Sequence, residues 1–331
     1  MQQLILEAPG RFIEREVESP DNAPDEALVR INRIGVCGSD FHAFAGRHPA
    51  YIYPRVLGHE LSGIVVKVPE NEFGINMGDR CAIDPYLNCG ACGMCLAGRT
   101  NCCERLEVIG VHRDGGMQEM LPVPLRLLHT SKTLSLDELA LVETLGIGAH
   151  AAVRSSAKSG QTALVVGAGP IGLGTALFAT AAGCAVTIAE KNEYRRQFAA
   201  KCGWNTVSSA SDAMADLVFD ATGNSQVMAM SLHSVNPGGK LIFVGLTSAP
   251  VELDDSLFHK REVTILASRN SAHQFPRIIR MLESGEINVK NWISDRLVLS
   301  QLSTEFADLS KRPTLIKAIV GLDNEKAEGA E

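Results

Sequence analysis

The sequence predicts an α/β protein with two domains, a strand-rich first part followed by a doubly wound parallel sheet. Its 331 residues are more than one hydrophobic core usually organises. About the first 140 residues contain short apolar runs between glycine and proline clusters, which is typical of strands and turns. From about Gly160 onward, strands alternate with helical stretches, and this alternation predicts a parallel sheet covered by helices.

The expected elements follow this division in chain order. In the first part, apolar runs predict strands at residues 27–34, 61–68 and 80–83. In the second part we expect a strand at 163–166, a helix at 171–182 and a strand at 185–189. Further strands are expected at 217–219, 241–244 and 264–267. The chain closes with a helix at 275–283, a last strand at 315–320 and a solvated tail at 323–331.

Charge and composition limit the partners and the compartment. The formal net charge is −7, so no basic surface is available for phosphate backbones, and nucleic acid is excluded as a partner. Glu7 and Glu14 lie where a signal peptide would be apolar, so we expect a cytoplasmic protein. Residues 159–189 carry no charge and are long enough to cross a membrane. Glycines interrupt them, however, which favours a buried strand–helix–strand unit and no membrane partner.

Five of the nine cysteines fall within one short segment. The spacing C-x2-C-x2-C-x7-C predicts a closed tetrahedral zinc site with a structural role. Iron–sulfur clusters also take four cysteines, but their usual spacings differ. Cys102 is an alternative fourth ligand, although the spacing favours its neighbour. The predicted ligands are Cys89, Cys92, Cys95 and Cys103.

A second group of metal-ligand types is assembled from three separated segments. One short stretch contains a cysteine and potential proton carriers, the motif Gly-His-Glu follows, and a further carboxylate lies in Leu-Val-Glu-Thr. One thiolate, one imidazole and two carboxylates are enough for a catalytic zinc ion with an open position for substrate. The residues are Cys37, Ser39, Asp40, His42, His59, Glu60 and Glu143.

A glycine motif follows the strand expected at 163–166 and opens a helix. In this context G-x-G-x-x-G indicates a dinucleotide site, because the glycines let a pyrophosphate approach the helix N-terminus. The motif comprises Gly167, Gly169, Pro170, Ile171 and Gly172. At the end of the next strand, Glu190 can accept hydrogen bonds from a ribose and repel a 2′-phosphate, which favours NAD over NADP. The positive charge of Lys191, the next residue, weakens this preference for NAD.

Together these three features resemble the zinc-dependent medium-chain dehydrogenase/reductase family, which is alcohol dehydrogenase-like. Smaller matches are Gly78-Asp79-Arg80, Asp114-Gly115-Gly116, Asp220-Ala221-Thr222-Gly223 and Val244-Gly245-Leu246. The resemblance implies a GroES-like catalytic domain at 1–145 with a structural zinc lobe at about 85–105. It also implies a Rossmann domain at 146–285 and a return to the catalytic domain at 286–331.

Glu143 places the resemblance in the polyol and sugar-acid branch, where a carboxylate replaces a second cysteine ligand. Either Glu60 or Glu143 can then be the direct ligand. Two features depart from that branch. Thr144 stands where a proline is usual, and the short stretch between Cys202 and Asp220 predicts that one Rossmann strand–helix unit is trimmed.

The family mechanism implies zinc- and NAD-dependent oxidation of a secondary alcohol on a polyhydroxylated substrate, such as the sugar acid L-galactonate, to a keto product. Sorbitol or another polyol and L-threonine are alternative substrates, and a non-catalytic nicotinamide-binding protein is the alternative of another class. The family also implies a homodimer or homotetramer.

The same resemblance assigns roles to single residues. Ser39 takes the proton of the alcohol, His42 passes it outward through the cofactor ribose, and Asp40 orients His59. Arg195 stacks on the adenine. The remaining cofactor contacts are assigned to Thr222, Val244, Gly245, Leu246, Arg269 and Asn270.

Overall fold

The computed structural model describes residues 1–322, so the tail at 323–331, expected to be solvated, lies outside the described residues. The chain forms two compact units. Unit 1 contains Met1–Glu143 and the segment that begins at Phe275, and unit 2 contains Thr144–Gln274. Unit 1 is therefore built from both ends of the chain.

The first segment of unit 1 consists of short strands with three short helices. Its strands are β1 (Gln2–Ala8), β2 (Arg11–Glu16), β3 (Glu26–Gly35), β4 (Glu60–Lys67), β5 (Arg80–Ile83), β6 (Tyr86–Leu87), β7 (Glu107–Val108), β8 (Met120–Pro124) and β9 (Leu128–Ser131). Its helices are α1 (Gly38–Phe44), α2 (Gly93–Leu96) and α3 (Leu136–Ala140). The next helix, α4 (Val142–Ser155), begins in this segment and continues into unit 2.

Unit 2 alternates strands with helices around one parallel sheet. Its strands are β10 (Thr162–Val166), β11 (Ala185–Ala189), β12 (Asn205–Val207), β13 (Ala215–Asp220), β14 (Val235–Phe243) and β15 (Thr264–Ala267). Its helices are α5 (Pro170–Ala181), α6 (Glu193–Lys201), α7 (Ser225–Met230) and α8 (Asp255–Arg261). The strand order is β12-β11-β10-β13-β14-β15, and every pair is parallel. Strands this apolar belong to a sheet covered on both faces, as expected for a Rossmann-type domain.

The second segment of unit 1 contributes α9 (Phe275–Glu283), β16 (Ile293–Val298), α10 (Leu299–Leu309) and β17 (Lys317–Gly321). These strands complete a seven-stranded sheet in the order β16-β17-β3-β4-β5-β9, with β8 also paired to β3. Because β17 is antiparallel to β3, the end of the described chain lies beside the strand that leads to Cys37.

The register of β3 and β4 places the first site. These antiparallel strands pair Gly35 with Glu60, so the end of β3 lies beside the start of β4. Cys37 follows β3 by two residues, and His59 immediately precedes β4. The two residues therefore emerge at the same end of the sheet although they are separated along the chain.

Most expected elements are confirmed, and one strand differs clearly from its prediction. The strands at 80–83, 185–189 and 264–267 and the helix at 275–283 have the expected bounds. Strand β14 begins at Val235 rather than at residue 241. Pro237, Gly238 and Gly239 indicate a turn in the sequence, yet the structure accommodates them at an irregularity in the pairing with β13.

Two further expectations are settled in unit 2. The uncharged segment at 159–189 forms β10, α5 and β11, as the sequence predicted, and α5 has 12 residues. Among residues 1–322 no helix has both the length and the apolar character that a membrane crossing requires. The trimmed Rossmann unit keeps its strand, β12, while its helix is reduced to a 3-10 turn at Ala210–Asp212.

Candidate functional site

Three side chains, at the end of β3 and the start of β4, offer ligand atoms to one metal ion. The Sγ of Cys37, a ring nitrogen of His59 and a carboxylate oxygen of Glu60 lie within 4.8 Å of one another. His59 and Glu60 are buried, whereas Cys37 is partly exposed. Thiolate, imidazole and carboxylate are ligands that zinc takes in catalytic sites, where a further position stays open for substrate. The residues therefore fit a catalytic zinc ion.

Asp40 lies beside both Cys37 and His59 and is fully buried. Its Oδ2 accepts a hydrogen bond from the Cys37 backbone N–H at 2.9 Å, and its Oδ1 lies 3.6 Å from Nδ1 of His59. Burial raises the pKa of the Asp40 carboxyl, while His59 acts in the opposite direction. Because 3.6 Å is too long for a hydrogen bond, the orienting role of Asp40 stays a prediction.

A buried lysine that sequence analysis did not single out reaches the same site from β17. Lys317 is 2% exposed, and its Nζ donates a hydrogen bond to the carbonyl oxygen of Val36 at 3.1 Å. The same Nζ forms an ion pair with Oε2 of Glu60. Lys317 thus connects the residue before Cys37 with the residue after His59. No local pattern could have revealed it, because Lys317 lies 281 positions from Val36.

Glu143, the other candidate carboxylate, is buried and held by Tyr86. The phenol of Tyr86 donates a hydrogen bond to Oε1 of Glu143. Burial raises the pKa of Glu143 to about 7, and the nearby charge of Glu60 acts in the same direction. Glu143 is not a member of the group of ligand atoms within 4.8 Å, which contains Glu60 instead. The geometry therefore favours Glu60 as the third ligand and leaves Glu143 as the second candidate.

The two residues of the expected proton relay lie on α1, directly after Cys37. The Oγ of Ser39 lies 3.5 Å from Nε2 of His59, so this hydroxyl faces the ligand group. His42 is one turn further along the helix and is exposed. A proton received at Ser39 would therefore start beside the candidate ligands, and the exposed His42 offers an acceptor in contact with water.

Glycines shape the turn that presents His59. Gly58 has a φ of +96°, a conformation that side chains rarely adopt. A Cβ at Gly110 would lie 2.5 Å from the carbonyl oxygen of Gly58, and a Cβ at Gly115 would overlap the same oxygen. The Asp114-Gly115-Gly116 match therefore has a physical reason, since only glycine permits this close backbone approach to the His59 turn.

The four cysteines of the predicted lobe form one compact cluster. Their sulfur atoms lie within 4.8 Å of one another, with Cys92 and Cys95 at 3.6 Å and Cys89 and Cys95 at 4.0 Å. Zn–S bonds of about 2.3 Å in a tetrahedron place sulfur atoms about 3.8 Å apart, so the cluster fits one zinc ion. Backbone N–H groups of Cys89 and Arg105 donate to Sγ of Cys103, both at 3.3 Å, as expected for a thiolate.

Cys102, the alternative fourth ligand, lies outside this cluster. It ends the 3-10 turn Thr100–Cys102, and its sulfur accepts a hydrogen bond from the Arg99 guanidinium at 3.7 Å. Cys103 is the member that joins the other three cysteines. The structure therefore agrees with the ligand that the spacing favoured.

The glycine motif of unit 2 forms a tight turn between β10 and α5. Gly167 has a φ of +100°, Gly169 precedes the first turn of α5, and Pro170 opens the helix. A Cβ at Gly172 would overlap the carbonyl oxygen of Gly167, which explains the third glycine. Ile171 lies in the first turn. The backbone N–H groups at the start of α5 are a suitable site for a pyrophosphate.

Glu190 lies directly after β11, beside this turn, and is 9% exposed. Its Oε2 accepts a hydrogen bond from the Ala168 backbone N–H at 2.7 Å, and its Oε1 accepts one from Asn192 at 2.8 Å. Sequence analysis assigned Glu190 to the ribose alone, whereas the structure shows that it also holds the glycine turn. Each carboxylate oxygen has a second lone pair that can accept from a ribose hydroxyl.

The other expected cofactor residues follow the carboxyl ends of neighbouring parallel strands, where α/β sheets bind ligands. Thr222 follows β13 and donates its hydroxyl to Asp220 at 2.8 Å, and the backbone N–H groups of Val244 and Gly245 both donate to the Asp220 carbonyl oxygen at 2.9 Å. Leu246 is 83% exposed. Arg195 lies in the first turn of α6, after β11, and Arg269 and Asn270 follow β15.

The segment after β15 contains three polar residues to which sequence analysis gave no role. Ser268, Ser271 and Gln274 are buried, and one side-chain oxygen of each has no hydrogen-bond partner among the described residues. Within the same segment Asn270 and His273 have φ values of +49° and +59°. Strained backbone and unpaired buried oxygens are features of ligand sites, so this segment fits the expected cofactor side.

Comparison with known proteins identifies the family to which the chain belongs. A family model described as the alcohol dehydrogenase GroES-like domain matches residues 23–133, and one described as zinc-binding dehydrogenase matches residues 170–284. The L-galactonate-5-dehydrogenase of Escherichia coli is 36% identical over 97% of this chain and 98% of its own length.

Two solved structures share the fold and carry different cofactors. A protein from Sinorhizobium meliloti, described as a zinc-binding dehydrogenase bound to NADP, is 29% identical with a TM-score of 0.89, covering 97% of this chain and 98% of that chain. An alcohol dehydrogenase from Escherichia coli, complexed with NADH, is 27% identical with a TM-score of 0.89, covering 97% of this chain and 99% of that chain.

Proposed function

We propose that this chain oxidises a secondary alcohol on a polyhydroxylated substrate to a ketone. It belongs to the zinc-binding dehydrogenases that carry an alcohol dehydrogenase GroES-like domain. The observation that carries this proposal is the group formed by Cys37, His59 and Glu60, in which the third ligand is a carboxylate. A carboxylate beside the open position makes the pocket polar, which suits a substrate with neighbouring hydroxyl groups.

Cys37, His59 and Glu60 hold the catalytic zinc ion in this proposal, and Glu143 is the alternative third ligand. When bound, zinc supplies Lewis acidity that lowers the pKa of an alcohol. Lys317 forms an ion pair with Glu60, and Tyr86 holds Glu143 by a hydrogen bond. Cys89, Cys92, Cys95 and Cys103 hold the second, structural zinc ion.

The proton of the substrate hydroxyl leaves through α1. Ser39 accepts it, because the Oγ of Ser39 lies beside the ring of His59. His42 then carries it to water, since its side chain is exposed on the same helix. Asp40 stays buried beside both ligands and keeps the Cys37 backbone in place through its 2.9 Å hydrogen bond.

Unit 2 binds the hydride acceptor, for which we propose NAD. The support is Glu190, whose carboxylate would repel a 2′-phosphate and accept from ribose hydroxyls. We expect kcat/KM with NAD to exceed that with NADP at least tenfold, about 1.4 kcal/mol. Replacing Glu190 by serine should narrow this preference, although it also removes one backbone contact to the glycine turn, at Ala168, and one to Asn192 before α6.

A sugar acid such as L-galactonate is the proposed substrate. The support is the similarity to L-galactonate-5-dehydrogenase over nearly the whole chain. A substrate carboxylate needs a cation, and three arginines lie near the site segments. Arg55 is paired with Asp114 and Arg113 with Glu107, so the exposed Arg47 is the better candidate.

The test is a dehydrogenase screen over aldonates, polyols, aldoses, L-threonine and simple alcohols with both cofactors. We expect an L-aldonate to give the highest kcat/KM and a ketone as product. If sorbitol or L-threonine ranks first, the mechanism stands and the sugar-acid assignment is wrong. If ethanol or a long-chain primary alcohol ranks first, the substrate class is wrong. Cofactor binding without turnover of any alcohol would favour the non-catalytic alternative.

A further inference from the structure

Glu190 makes more hydrogen bonds than the recognition of a ribose requires. Its Oε2 accepts from the Ala168 backbone N–H at 2.7 Å, and its Oε1 accepts from the Asn192 backbone N–H at 2.8 Å. Its own carbonyl oxygen accepts from the Arg196 guanidinium at 2.9 Å. The residue is 9% exposed. The orientation of this carboxylate is therefore fixed by protein groups of unit 2 alone.

The bond to Ala168 fixes one peptide plane of the glycine turn. Ala168 is fully buried, so water does not readily replace Glu190 as the partner of its N–H. In a trans peptide the N–H and the preceding C=O point in opposite directions. The carbonyl oxygen of Gly167 accordingly lies against Gly172, where a Cβ would overlap it. Glu190 thus sets the direction of both polar groups of this peptide.

Without Glu190 this peptide plane can rotate, because a glycine precedes it. Gly167 has a φ of +100° and no side chain, so its backbone has a wide range of allowed conformations. A buried N–H without a partner is unfavourable. Loss of Glu190 therefore favours a rotated peptide in which the N–H of Ala168 reaches water. The same rotation moves the carbonyl oxygen of Gly167 away from Gly172 and changes the shape of the turn.

The turn in this shape presents the backbone groups that suit a pyrophosphate. Among residues 1–322, the N–H groups of Ile171 and Gly172 make no hydrogen bond, as is usual in the first turn of a helix. They can donate to phosphate oxygens, whereas the N–H of Ala168 is already used by Glu190. Because the carbonyl oxygen of Gly167 lies directly beside Gly172, a rotated peptide disturbs these donors.

We propose that Glu190 is a positioning residue for the cofactor pyrophosphate, in addition to its proposed contact with the ribose. This inference rests on the proposed binding of NAD by unit 2. The pyrophosphate is common to NAD and NADP, so substitution of Glu190 should weaken the binding of both cofactors. Such a substitution relaxes the preference for NAD by loss of NAD affinity and not by gain of NADP affinity.

The first test uses ADP and 2′,3′-dideoxy-ADP, which share the diphosphate and differ in the two ribose hydroxyls. Calorimetry measures the Kd of each with wild type, Glu190→Ser and the control Glu193→Gln. The control loses the same charge from a side chain that is 63% exposed and pairs with Arg196. We expect Glu190→Ser to bind dideoxy-ADP at least tenfold more weakly, about 1.4 kcal/mol, although loss of a negative charge alone favours a phosphate ligand. The control should bind both ligands like the wild type.

Amide hydrogen exchange in the unliganded protein supplies a local readout. The N–H of Ala168 should exchange faster in Glu190→Ser than in wild type. Amides within β10 and β11 should keep their protection, which shows that unit 2 is folded. Glu190→Gln retains one acceptor oxygen, so it should lie between wild type and Glu190→Ser in both measurements.

Three results overturn this inference while leaving the proposed function in place. The first is an unchanged Kd for dideoxy-ADP in Glu190→Ser with a loss for ADP alone, which would limit Glu190 to the ribose. The second is unchanged exchange at Ala168 in that variant. The third is a wild type that binds NAD but not dideoxy-ADP, since the diphosphate would then contribute too little. A wild type that binds neither ligand nor NAD rejects the proposed cofactor and this inference together.

Discussion

Lys317 forms an ion pair with Glu60 inside the protein. Both side chains are 1% exposed, so water contributes little to the stabilisation of either charge. The two residues sit on strands that pair with β3 from opposite sides, β4 and β17. Removing one partner of a buried ion pair leaves the other charge unpaired. The resulting loss of folding free energy is typically larger than the stabilisation that the pair itself contributes.

We therefore expect Lys317→Met to lower the free energy of unfolding of unit 1 by about 3–5 kcal/mol. The double variant Lys317→Met with Glu60→Gln should recover much of that loss, because the charge of Glu60 is removed together with that of Lys317. Urea unfolding followed by the fluorescence of buried Trp292, in a Trp204→Phe background, reports on unit 1. A single variant within 1 kcal/mol of wild type would show that the ion pair does not stabilise the site.

Residues of this kind could not be predicted from the sequence. Cys37, His59 and the four cysteines of the lobe lie in short motifs, and the spacing of these motifs indicates metal binding. Lys317 stands in none, and its partners, Glu60 and the Val36 carbonyl oxygen, are set by strand pairing. The role of Glu190 in holding the glycine turn was missed for the same reason, since Ala168 lies 22 positions earlier, in the turn after β10.

At the scale of elements, the sequence pattern of a segment predicts its structure where the contacts that stabilise the segment are between residues close together in the chain. The strand, glycine turn and helix of β10 and α5 were predicted, because the turn chemistry lies in consecutive residues. The start of β14 was not predicted, because Pro237 and two glycines indicate a turn. In the structure this segment is instead part of β14, which pairs with the neighbouring strand β13. The cysteine lobe, between β6 and β7, is the most local case.

This lobe offers a matched pair of adjacent residues. We expect Cys103→Ser to lose about one zinc ion per chain and to destabilise the lobe, since a structural zinc site contributes directly to folding. Cys102→Ser should keep both zinc ions, because Cys102 lies outside the cluster. Metal analysis together with thermal unfolding measures both. Equal zinc loss in the two variants, or a loss confined to Cys102→Ser, would contradict the ligand assignment.

At the scale of the whole molecule, the chemistry is divided between the two units. Unit 1 holds the candidate catalytic ligands and the cysteine cluster, and unit 2 holds the glycine turn and Glu190. The alternation of strands and helices predicted the parallel sheet of unit 2. The sequence did not show how β17 pairs with β3 to bring Lys317 to the site, because that pairing joins the two ends of the chain.

The central claim is that catalysis depends on a zinc ion at Cys37, His59 and Glu60, and stepwise metal removal tests it most directly. An open site with mixed ligands should lose its metal before the closed four-cysteine site does. Starting from two zinc ions per chain, mild chelation should remove about one ion and nearly all oxidation of the best aldonate or polyol, while the fold remains intact. One equivalent of zinc should then restore the activity. Full activity in protein that retains only one zinc ion, held by the four cysteines, would contradict the account.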